Sequence, residues 1–123
     1  MAVGTAGGGH SFQTLAERWD GTAWTIVSMP RIGGANAANN LVSVSCPRTG
    51  RCAAVGDAMV QNKVRLLAEH WNGARWTVDA TVPPHTVTSA FGGVSCVPGQ
   101  GCVAVGGYST RSGKFGPLAE ENF

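Results

Sequence analysis

Apolar and polar residues alternate along several short stretches of this chain, and nowhere do they keep a helical spacing. Val42, Val44 and Cys46 fall at alternate positions, the period of a strand with one buried face. In a second stretch, Leu67, Glu69 and Trp71 share one face while Ala68 and His70 share the other. Between Met59 and Trp71, the residues Val60, Val64, Leu66 and Leu67 form no single helical stripe. The pattern predicts short strands throughout.

These stretches repeat. Leu15-Ala16-Glu17-Arg18-Trp19-Asp20-Gly21-Thr22-Ala23-Trp24 returns as Leu67-Ala68-Glu69-His70-Trp71-Asn72-Gly73-Ala74-Arg75-Trp76 and begins again as Leu118-Ala119-Glu120. A period of about fifty residues marks propellers and stacked arrays. The copies run over about 1–30, 41–83 and 91–123, and together they make one repeat-built domain, 1–123. Each full copy reads as four strands. The first is of the 41–46 type. The second follows a cysteine, as in Ala53-Ala54-Val55-Gly56. The third ends in Leu-Ala-Glu-x-Trp, and the fourth opens at the next tryptophan and carries Thr77, Val78 and Val82. Asp20-Gly21 and Asn72-Gly73 join the third strand to the fourth; this dipeptide signals a hairpin because both residues tolerate positive φ. Segments 5–13, 57–65 and 107–116 read as loops between second and third strands, and 31–40 and 84–90 as links between copies. They differ from copy to copy and hold His10, Asn36, Asn39, Asn40, His85 and Tyr108, so recognition is expected there.

Composition supports strands joined by tight turns: 18 glycines, with only 13% charged residues in 123. Net charge is +2, without a run of like charges, which argues against nucleic acid as partner. No apolar stretch is long enough to span a membrane as a helix, and Met1-Ala2-Val3-Gly4 does not open a secretion signal. The four cysteines form two equally spaced pairs, Cys46 with Cys52 and Cys96 with Cys102. That symmetry predicts local structural disulfides and a secreted or cell-surface location. Closing so short a loop contributes roughly 2 kcal/mol. Zinc is the alternative, but its ligands usually lie closer together in sequence, so no metal and no cofactor are expected.

The pattern Val-Ser-Cys, Cys-x-Ala-Val-Gly, Leu-Ala-Glu-x-Trp-Asx-Gly-x-x-Trp resembles the repeat of secreted bacterial β-propellers of the kelch or galactose-oxidase-like kind. The resemblance covers nearly the whole chain. It implies an all-β fold of antiparallel, four-stranded propeller blades. About two and a half repeats are present, too few to close a ring, so the expected particle is completed by oligomerisation or by a longer parent chain.

Three sets of residues are candidates for binding. Trp19, Trp24, Trp71 and Trp76 bracket the repeated hairpins and either stack on sugar rings or fill the gap between blades. Glu17, Glu69 and Glu120 hold one position in every copy; a repeated carboxylate binds cations or sugar hydroxyls, or else pairs with Arg or caps backbone amides. The histidines His10, His70 and His85 fall at unrelated positions, and no nucleophile, phosphate-loop or metal motif accompanies them. The expectation is a non-catalytic, secreted, propeller-type binding or scaffolding module that self-associates or contacts further blades. It would recognise a protein or glycan through rim loops. The alternatives are an oligomeric propeller lectin and a fragment of a polysaccharide-active propeller enzyme.

Overall fold

The computed structural model describes residues 1–8, 11–34, 37–81 and 88–121. Those residues form ten strands and no helix. The first sheet is β1 (Ala2–Gly8), β2 (Ser11–Trp19) and β3 (Trp24–Val27), in that order. The second is β4 (Ala38–Arg48), β5 (Arg51–Val60), β6 (Lys63–Trp71) and β7 (Trp76–Val78). The third is β8 (Thr88–Val97), β9 (Gly101–Ser109) and β10 (Phe115–Glu121). All pairings are antiparallel. The four-strand order read from the sequence is complete in the second sheet, whereas the first sheet starts with the second-strand equivalent. His10, Asn36, Val82, His85 and the third-copy residue Asn122 lie outside the described residues.

Three local expectations change. The segments 57–65 and 107–116 are mostly strand rather than loop. β5 and β6 pair out to Val60↔Lys63, leaving only Gln61 and Asn62 in the turn, at φ 51° and 61°. Two successive positive φ values match the twist of a tight hairpin, and the missing glycine hid that turn. The Asp20-Gly21 and Asn72-Gly73 hairpins work differently from the expected dipeptide turn. Trp19 pairs with Trp24, so the connection has four residues, and only the glycines take positive φ. Asp20 instead accepts hydrogen bonds from the Thr22 and Ala23 amides, and Asn72 from those of Ala74 and Arg75.

The third correction concerns β4. A bulge between Leu41 and Ser43 breaks the simple alternation, so Leu41 enters the core while Val42 is half exposed. β8 has the same bulge between Phe91 and Gly93, and Phe91 is buried. Beside each bulge the backbone comes close to the next strand. A methyl on Gly56 would lie 2.0 Å from the Asn40 carbonyl oxygen, and one on Gly106 would lie 2.0 Å from that of Ala90.

The sheets pack in series by unlike faces. Leu67, Trp71, Trp76, Ala54 and Leu41 of the second sheet form one core with Ala16, with Val3 and Val27 of the first sheet against it. The opposite face of the second sheet, with Val55, Leu66 and Ala68, packs on Phe91, Ala104 and Leu118 of the third. The face assignment read for Leu67 and Trp71 against Ala68 therefore separates two interfaces. The repeated serines tie sheets together: Ser43 Oγ accepts from the Val94 amide at 3.2 Å and Ser45 Oγ from the Cys96 amide at 3.0 Å. Cys46–Cys52 and Cys96–Cys102 are disulfides, closing equivalent turns in the second and third sheets.

Candidate functional site

The equivalent tryptophan pairs have the same geometry and different surroundings. Trp19 and Trp24 sit 5.6 Å apart at 47°, and Trp71 and Trp76 sit 5.9 Å apart at 48°. The second pair is buried against the first sheet, whereas Trp19 is 48% and Trp24 52% exposed. The third sheet mirrors this at the other end. Val105 occupies the position of Val55 but is 51% exposed, while Val55 is buried. One end of the stack thus presents exposed tryptophans and Ile26, and the other presents Val103 and Val105.

The repeated glutamates also diverge. Glu17 and Glu120 are half-buried. Glu69 is fully buried, and neither carboxylate oxygen has a hydrogen-bond partner. The pairing with Arg or capping of amides expected for this position does not occur at Glu69. Burial, reinforced by the nearby charge of Asp79, pushes its carboxyl up to about 8. Loop residues are also placed differently from expectation. Asn39 is buried in β4, where its side chain accepts from the Ile32 amide and donates to the Ile32 carbonyl, fixing the link between sheets.

A concavity lies where the second and third sheets meet, at their disulfide turns. It is a cleft of about 460 Å³ whose walls include Arg48, Arg51, Cys52, Pro98, Gly99 and Cys102. His70 and Asp79 line it from the second sheet. His70 Nδ1 donates to Asp79 Oδ1 at 2.5 Å, and the Thr77 hydroxyl lies 3.0 Å from Nε2 and 3.3 Å from Nδ1. The register creates this group: His70 pairs with Thr77 across β6 and β7, and the Asp79 amide bonds the Ala68 carbonyl one step further on. Arg18 stands at the position of His70 in the first copy, so sameness between copies does not mark it. The signal is Thr77 in β7 and Asp79 just past its end, opposite His70 only once the register is known. Among the described residues no group of three or more His, Cys, Asp or Glu side chains converges to hold a metal. No helix among them is long and apolar enough to cross a membrane. No protein-family model, no curated protein and no solved structure matches this chain.

Proposed function

We propose that this chain is a propeller-type scaffolding and binding module, built of blades, whose two outer faces are covered by further blades of the same repeat. Its clefts and turns are then offered to a protein or glycan. The observation that carries this reading is the mismatch between equivalent positions. Trp71, Trp76 and Val55 are buried by neighbouring sheets, while Trp19, Trp24 and Val105 are exposed at the two ends. Each end carries the surface that, inside the chain, meets the other, which is the arrangement of a head-to-tail contact. Large exposed apolar surfaces of this kind mark interaction sites. Gly4 adds support: it stands where Gly56 and Gly106 make room for an adjoining first strand, yet a methyl there meets no atom within 4 Å. The two disulfides fit a secreted or cell-surface module.

In solution the isolated chain therefore associates into multiples of 12.6 kDa, measured by analytical ultracentrifugation. Trp24→Asp blocks one end and Val105→Asp the other, and each variant alone loses higher assembly. Mixed together, they form a dimer and nothing larger, because one compatible joint remains. A folded, strictly monomeric wild type would sink the reading. The lectin alternative draws on the exposed Trp19 and Trp24, which offer ring faces for sugar stacking. It predicts a saturable, sugar-dependent change in tryptophan fluorescence that Trp24→Ala abolishes.

A further inference from the structure

We propose that the cleft between the second and third sheets binds a small oxyanion-bearing ligand, of uronic-acid size, through Arg48 and Arg51. This site lies within one chain and stands whether or not the chain assembles. Arg48 and Arg51 are directly paired across the disulfide turn. Like charges opposite each other on a sheet repel, and neither guanidinium has a carboxylate partner among the described residues. A carboxylate seated between them would relieve that repulsion and accept their planar donor arrays.

The facing wall provides room in place of charge. Where the second-sheet turn has Arg48 and Arg51, the third-sheet turn has Pro98 and Gly101. Arg48 reaches across to that wall: a methyl on Gly99 would lie 3.7 Å from its Nη2 atom. The two small residues, Gly99 and Gly101, keep the cleft open opposite the guanidinium groups. Asp79, the one carboxylate lining the cleft, is turned inward and bonded to His70, with 15% of its side chain exposed. The cleft's volume of about 460 Å³ accommodates a single sugar ring. The site is built by the second and third sheets.

Isothermal titration with glucuronate at low salt tests this, with glucose as the neutral control. Wild type binds glucuronate saturably and does not bind glucose, and added salt weakens the binding. Arg48→Gln and Arg51→Gln each lower the affinity by about tenfold or more. Their urea midpoints do not fall below the wild-type value, since both side chains are exposed at the strand ends flanking the turn and each substitution removes a like-charge contact. The proposal is overturned if glucuronate shows no saturable binding, if glucose binds equally well, or if a folded Arg51→Gln variant binds as the wild type does.

Discussion

At pH 8 and above, Glu69→Gln is more stable than the wild type by about 2–4 kcal/mol, the larger part of what an ionised, unpaired, buried carboxylate costs. The reason lies in where the proton goes. The Glu69 carboxyl titrates near 4.5 when unfolded and near 8 in the fold, first because burial strips its hydration and second because Asp79 is close. Between those values the folded chain holds a proton that the unfolded chain has released. Stability is therefore full below about pH 4.5, falls as pH rises toward 8 and levels off above it. Each unit corresponds to about 1.4 kcal/mol, so the whole fall is at most about 5 kcal/mol. Glutamine removes the titration but leaves buried amide donors without partners, at a cost of about 1–3 kcal/mol. The variant is thus the weaker protein at pH 4.5 and the stronger at pH 8, and the two stability curves cross. Asp20 shifts the other way. The Ala23 and Thr22 amides hold its carboxyl below the usual range, so its contribution is lost only as pH falls through acid values. Urea denaturation followed by tryptophan fluorescence at several pH values reads the difference between the two proteins directly. Parallel curves would mean that Glu69 ionises as freely folded as unfolded.

The same glutamate marks the limit of what the chain alone makes legible. Alternation in Leu67-Ala68-Glu69-His70-Trp71 separates two faces without help from coordinates, because the side-chain period of a strand is two. Equal cysteine spacing likewise points to the local disulfides. What alternation cannot convey is coverage. Trp19 and Trp71 are the same residue in the same motif, and only the neighbouring sheet decides which one is buried. Glu17 and Glu69 differ for the same reason. The bulges at Val42 and Gly92 are invisible in a period-two reading, since one extra residue shifts every later side chain to the other face. Sameness between copies does not reveal the candidate cleft. Pro98, Gly101 and Glu121 stand in the third copy where Arg48, Arg51 and His70 stand in the second, and the cleft itself depends on how the second and third sheets stack.

Gly56→Ala destabilises the protein by about 3 kcal/mol or more, because a methyl at that position has no room that a side chain's movement can create. Its nearest neighbours are backbone atoms: the Asn40 oxygen at 2.0 Å, the Asn40 carbonyl carbon at 2.9 Å and the Leu41 Cα at 2.9 Å. Relief requires β4 to move away from β5. That movement would pull Leu41 from the core and disturb the Asn39 contacts to Ile32. The backbone at Gly56 is not left-handed, so the conformation itself suits alanine and the clash alone sets the cost. Gly4→Ala is the internal control. It changes the same position of the repeat, pairs with Leu15 as Gly56 pairs with Leu67, and meets no atom within 4 Å. Its effect stays within about 0.5 kcal/mol. In thermal unfolding the first substitution lowers the midpoint by roughly 10 °C or more and the second leaves it nearly unchanged. Equal effects would mean that the glycine serves strand twist or the unfolded chain rather than the close approach of β4. A large effect at Gly56 alone ties the Ala-Val-Gly motif to the bulged strand beside it. A loss at Gly4 that appears only in the assembled protein would then place a first strand from another blade against β1.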